Sequence, residues 1–254
     1  IFSKIAAVIV RLDEKYEGDY VIQAQQPIAL KNIQIDDKFL NNYETGGEEY
    51  STYESDGVKY SEVKTIQVSG GFFSQNKLTL SSGNLFSEDD YSSYGLEEIP
   101  VILGSEYSQY YNIGDTFEGS YLYSDMKFKI IGFVSEDSFF YDNVKKGMIS
   151  CGRYIFMPVF MNLSYDDVGM MALDQYIQSY IYTHGQYEKV REDVENIIEE
   201  CGLSDQYIGF MSEESSEDEV DIFSKYASMT GLVSKYLTII IVIMIVCITA
   251  ILSI

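Results

Sequence analysis

IPVILGSEYSQYYNIGDTF, residues 99–117, is the stretch on which the reading of the fold turns. Residues 99–103 form an unbroken apolar run. Such a run marks a strand covered on both faces. Pro100 places the beginning of that strand near an edge or at the strand's start, because proline cannot donate to a ladder. Ser105 is positioned to cap a following turn of helix, and Glu106 sits favourably in its first turn. Asn112 and Gly114 supply the stop. Strand character resumes at Phe117. Met126, Phe128 and Ile130 then alternate with Lys127 and Lys129, the pattern of a half-buried strand.

Upstream, DYVIQAQ (19–25) reads as a strand. Asp36 can cap a short helix carrying Phe39, Leu40 and Tyr43. Residues 44–58 are polar and Gly-containing, so they read as a loop or hairpin connection. Residues 63–68 alternate, with Lys64, Ile66 and Val68 on one side, and Gly70-Gly71 breaks that strand. Downstream, YIFMPVF (154–160) reads as a buried strand and YIQSYIYT (176–183) as an alternating one. In the segment after it, Val190, Val194, Ile197 and Ile198 fall at i, i+4, i+7 and i+8. They predict an amphipathic helix stopped by Gly202. Strand then helix at 176–200 echoes strand then helix at 19–43. An α+β unit built from both ends of the domain, with a β-rich insertion between, accounts for that pairing.

The chain has 254 residues and a formal net charge of −23. No Lys/Arg cluster is present, which argues against nucleic acid as a partner. The many tyrosines (23) and few prolines (3) suit β-structure with half-wet faces. Three cysteines are present, at 151, 201 and 247, and Cys247 lies in an apolar run. Spacing leaves open whether Cys151 and Cys201 pair. His184 is the only histidine, and a lone His before a glycine reads as structural or solvated. No nucleophile elbow, P-loop or zinc-binding spacing occurs. The acidic run 212–221 lacks the ligand spacing and Gly turn of a cation loop and reads as a solvated connector. The residues therefore point to no catalytic, cofactor or metal site, and the chain is not expected to be an enzyme.

Residues 236–254, YLTIIIVIMIVCITAILSI, carry no charge. As a helix they would span about 28 Å at about 1.5 Å per residue, close to a bilayer core. They read as a transmembrane helix. At the other end Ile1, Ile5, Val8, Ile9 and Leu12 recur at helical spacing. Lys4 and Arg11 interrupt what would otherwise be a signal-peptide core. That segment reads as the emerging end of a preceding transmembrane helix, or else as an ordinary amphipathic helix. From Val220, apolar residues recur at Ile222, Phe223, Tyr226, Met229 and Val233, as in a stalk helix running into the membrane segment.

The order of these elements resembles the extracytoplasmic core domain of MacB-type ABC transporter permeases, the group with the FtsX-like membrane module. The resemblance is carried by VSGGFF, then LTLSSGNLFSEDD, then IPVILGSEYSQYYNIGDTF, then FKIIGFV, with YIFMPVF as a later strand ending in Pro. One position departs: Gly83-Asn84 stands where the group has Gly-Arg. The resemblance implies that residues 99–117 are scaffold. It also implies a domain plan: 1–15 the end of a first transmembrane helix and stalk; 16–60 with 150–210 a porter-like α+β lobe; 61–149 a β-rich, sabre-like lobe; 211–235 an acidic connector and stalk helix; 236–254 a second transmembrane helix. The main domain would lie outside the cell membrane; low Lys/Arg and few Cys suit a monoderm surface, with a periplasm left open. Implied partners are a cytoplasmic ABC ATPase, a second permease subunit and the lipid bilayer, with a peptide as a possible substrate. ATP hydrolysis would drive either export of a peptide, antibiotic or lipoprotein, or motion passed to a cell-wall enzyme. By analogy and helical spacing, Ile222, Phe223, Tyr226, Met229 and Val233 would transmit it. Two other classes stay open on the residues alone: a membrane-anchored receptor or adhesion ectodomain without an ATPase, and a membrane-tethered hydrolase, which the missing site disfavours.

Overall fold

The computed structural model describes residues 2–142, 147–162, 175–176 and 178–205. The chain divides into a large unit, Ile1–Ser138 with Cys151–Ser212, and a smaller one. The described part of the smaller unit is a hairpin, β10 (Phe139–Asp142) against β11 (Gly147–Ser150). The large unit is α+β. Its helices are α1 (Phe2–Lys15), α2 (Gly71–Gln75) and α3 (Tyr187–Glu200). Its strands are β1 (Tyr20–Ala24), β2 (Ile28–Lys31), β3 (Thr52–Ser55), β4 (Val58–Val63), β5 (Thr65–Val68), β6 (Leu80–Gly83), β7 (Ile99–Leu103), β8 (Thr116–Tyr121), β9 (Ser124–Val134), β12 (Ile155–Pro158) and β13 (Ser179–Ile181).

These eleven strands make one mixed sheet in the order β13-β1-β5-β12-β7-β9-β8-β2-β4-β3, with β6 added to β9. β7 lies between β12 and β9, antiparallel to the first and parallel to the second. Both of its faces are covered, as the continuous apolar run requires. Pro100 sits at the strand's start, where β9 is the only neighbour. Pairing with β12 reaches only Ile102 and Leu103, so the missing N–H breaks no ladder there. β1 and β13, from the proposed porter-like lobe, and β7 to β9, from the proposed sabre-like lobe, share this sheet.

Two apolar cores line it. One joins Ile28, Leu30, Val63, Ile99, Val101, Leu103, Phe128 and Ile130 and is built from strands and loops. The other packs Tyr20, Ile22 and Val159 against Val8, Ile9 and Leu12 of α1 and Val190, Val194 and Ile197 of α3. On α2, Phe72 and Phe73 sit 5.9 and 5.7 Å from the Phe156 ring, centroid to centroid.

Several local readings change. Of the strand expected over 176–183, only Ser179–Ile181 is strand among the described residues, and Tyr176 is helical. The strand expected over 63–68 is two strands: β4 ends at Val63 beside β2, and β5 begins at Thr65 between β1 and β12. Lys64 lies at the break, 3% exposed, and its ammonium donates to the Lys38 carbonyl at 2.6 Å and to Glu44. All of β5 is buried rather than alternating, because neighbours and core cover both of its faces. Ser105 is not a cap. It is the first residue of the 3-10 turn Ser105–Gln109, and Gly104 occupies the cap position. A Cβ at Gly104 would collide with the backbone carbonyl oxygens of Cys151 and Gly152, so the cap position admits no side chain. Asp36 does precede a short turn, Asp37–Phe39, but its carboxylate makes no capping bond.

Candidate functional site

α1 carries Ile5, Val8, Ile9 and Leu12 on one stripe, and α3 carries Val190, Val194 and Ile197. Joining these stripes buries apolar surface that neither helix could hide alone. Polar contacts along the joint fix its direction. Lys4 Nζ donates to the Gly202 carbonyl at 2.8 Å, just past the end of α3. Arg11 pairs with Glu200, and its Nη1 reaches Cys201 Sγ at 3.8 Å. Lys15 Nζ lies 2.9 Å from Asp193, and the Tyr16 hydroxyl donates to the same carboxylate at 2.8 Å. Low numbers on α1 meet high numbers on α3, so the helices are antiparallel. The start of α1 therefore lies beside the residues just past the end of α3.

The charges are placed by simple rules. α3 has no basic residue in its last turn, and Lys4 of α1 supplies a cation against the carbonyl that follows it. α1 carries Lys15 in its own last turn. Hydrogen bonds from Lys15 and then Tyr16 hold the Asp193 carboxyl below its ordinary pKa. Burial, then the bond to Asp193, pushes the Tyr16 hydroxyl upward. The bond to Glu200 raises Arg11 further. Between the helices runs an open groove of about 420 Å³, lined by Arg11, Glu14, Lys15, Asp193, Asn196, Ile197 and Glu200. Its cations are already bound to its anions, so it is a seam that holds two helices rather than a chamber shaped for a ligand.

A second ionic knot lies where the opening stretch meets β12. Glu106 accepts from Lys38 at 2.8 Å and from Arg153 at 2.9 Å. Burial works to raise the Glu106 carboxyl, but the two hydrogen bonds outweigh it and the pKa is lowered. Next to it Tyr107 is fully buried against Phe39, ring centroids 4.4 Å apart. These groups tie turns together, as scaffold residues do.

Among the described residues, no three His, Cys, Asp or Glu side chains are placed to hold a metal ion. His184 Nε2 lies 2.9 Å from Asp19 Oδ1. Cys151 is buried, which pushes its thiol pKa up, and Cys201 is partly exposed; both are free thiols. Ile222, Phe223, Tyr226, Met229 and Val233 lie outside the described residues, as does the apolar run 236–254. Among the described residues no helix is long and apolar enough to cross a membrane. Sequence reading missed the pairing of α1 with α3. The signal was there: Lys4, Arg11 and Lys15 fall on one stripe of α1, and Asp193 and Glu200, seven apart, fall on one stripe of α3.

No family model and no curated protein matches the chain. Several solved structures are similar to it, two of which are described. One is the extracellular domain of the noncanonic ABC-type transporter YknZ from Gram-positive bacteria, 12% identical, covering 77% of this chain and 82% of that one, with a TM-score of 0.42. The other is the periplasmic region of MacB from Actinobacillus actinomycetemcomitans, 12% identical, covering 79% of this chain and 75% of that one, with a TM-score of 0.41. Both are extracytoplasmic domains of ABC-type transporters. The overlap is loose, and neither substrate nor partner follows from it.

Proposed function

We propose that this chain is the extracytoplasmic domain of an ABC transporter permease subunit, coupling cytoplasmic ATP hydrolysis to movement outside the membrane. The observation that carries the proposal is the antiparallel α1–α3 pair, with Lys4 bonded to the Gly202 carbonyl. It keeps the start of α1 beside the residues just past α3, the arrangement that a domain held by two neighbouring chain segments needs. The motif order from 68 to 134 supports the same reading. In this scheme residues 16–60 and 150–210 form the porter-like lobe and residues 61–149 the sabre-like lobe. The stalk residues Ile222, Phe223, Tyr226, Met229 and Val233 pass motion between membrane and domain. The ATPase is a separate or fused subunit, and a second permease subunit completes the assembly. The work done outside is export of a peptide, antibiotic or lipoprotein, or motion passed to a cell-wall enzyme.

The test is a native pull-down of the full-length protein from nanodiscs, with partners identified by mass spectrometry. Recovery of a Walker-motif ATPase in near-stoichiometric amount is the expected result. Recovery of none, with none fused to the full-length chain, would overturn the proposal in favour of a receptor or adhesion ectodomain.

A further inference from the structure

β3 is the last strand of the sheet on its side, paired with β4 and with no strand beyond it among the described residues. Sheet edges invite pairing, and folded proteins block them with bulges, prolines, charged side chains (lysine above all) or very short strands. β3 (TYES) has no proline or lysine, and its register with β4 runs unshifted from Thr52↔Ser61 to Ser55↔Val58. Asp56 and Gly57, both at positive φ, make the two-residue turn that joins the strands. In such a hairpin the closing pair is hydrogen-bonded and the pattern alternates, so the N–H and C=O of Thr52 and Glu54 point away from β4.

The side chains around this edge have one character. Tyr53 stacks on Tyr60, ring centroids 5.2 Å apart and planes within 7°. Tyr53 is 45% exposed and Tyr50 is 78% exposed. From 48 to 62 the chain carries Glu48, Glu49, Glu54, Asp56 and Glu62 against one cation, Lys59. Aromatic faces and carboxylates both attract Lys and Arg. A second copy of this chain is a poor occupant: two β3 edges would bring Glu54 towards Glu54 between molecules that each carry a net charge of −23.

We propose that the β3 edge is a docking site for an extended, Lys- or Arg-bearing polypeptide segment of another protein, which adds to the sheet as a further strand. Main-chain bonds to Thr52 and Glu54 hold it, and its cations lie against the tyrosines and carboxylates. The proposal does not depend on whether the domain serves a transporter.

The test uses the full-length protein in nanodiscs and two end-blocked decapeptides, one alternating Lys and Val, the other alternating Glu and Val. The Lys peptide is expected to bind, to slow amide exchange at Thr52 and Glu54, and to weaken as salt is raised. The Glu peptide is expected not to bind. Glu54→Pro, which removes an outward N–H without touching a bond to β4, is expected to weaken binding by about tenfold, the worth of one to two hydrogen bonds. Glu54→Gln is expected to weaken it less. No binding of the Lys peptide, equal binding of the Glu peptide, or protection that leaves Thr52 and Glu54 unchanged would each overturn the proposal. The exchange measurement on the unaltered protein decides the matter even if Glu54→Pro misfolds.

Discussion

A methyl group added at Gly104 would run into the carbonyl oxygens of Cys151 and Gly152, which are backbone atoms and cannot rotate away. Gly104→Ala should therefore destabilise the domain by about 2–3 kcal/mol, as overpacking does. A shift in the urea midpoint would measure it; a midpoint within error of the parent would show that the turn at 151–153 yields. Glu106 makes a prediction with a sign. Its folded pKa is lowered, so its ion pairs stabilise fully above the unfolded value of about 4.3, and that stability is lost as pH falls through the folded value. Glu106→Gln should be less stable than the parent at neutral pH, and the gap should close in acid. Side-by-side unfolding curves across that range are the measurement, and a gap independent of pH would remove the ion pairs as its cause. The same residues show where the sequence was legible. The apolar run and Pro100 could be placed from the chain alone, whereas the sequence puts the cap at Ser105 and Gly104 fills it. The partners of Gly104 and Glu106 could not be placed, because they lie far along the chain: Cys151, Gly152 and Arg153 arrive only when β12 docks on β7, and Lys38 is 68 residues from Glu106.

At the scale of elements, the α1–α3 pair separates apolar packing from surface charge. Leu12 is buried among residues of both helices, and Leu12→Ala should cost about 2–5 kcal/mol. Arg11 sits at the solvent edge, and Arg11→Ala should leave the melting temperature nearly unchanged, because exposed ion pairs are screened and contribute little. Thermal melts of the two variants test the contrast; equal losses would mean the ionic seam carries the joint. Here, too, sequence and structure part in an instructive way. The periodicity of both helices was plain, and α3 could be bounded by Gly202. That they face each other was not, since a hydrophobic stripe names no partner. The split of 63–68 at Lys64 was hidden for another reason: a lysine reads as a solvent-facing residue, and here a carbonyl and a carboxylate receive its charge inside. The lone His184, read as structural or solvated, pairs with Asp19.

For the whole molecule, the proposed coupling predicts that the stalk matters more than its distance from any chemistry suggests. Phe223→Asp combined with Tyr226→Asp in the full-length protein should leave ATP hydrolysis running while transport fails. Paired assays of hydrolysis and efflux in proteoliposomes would check this; efflux at the parent rate would sink the assignment of the stalk. The net charge of −23 surrounds the chain with a negative field. Any acidic partner must approach against that field, while a basic one is drawn in.

The bond from Lys4 to Gly202 has a consequence for how such a domain is inherited. Lys4 and Gly202 meet within the reach of one side chain, so the stretch between them behaves as a cassette. It could be cut from its host and the gap closed by a few flexible residues, without moving the segments on either side. The reverse graft is as simple. Any loop that joins two neighbouring helices could receive it, and the host's own architecture would not need to stretch to admit it.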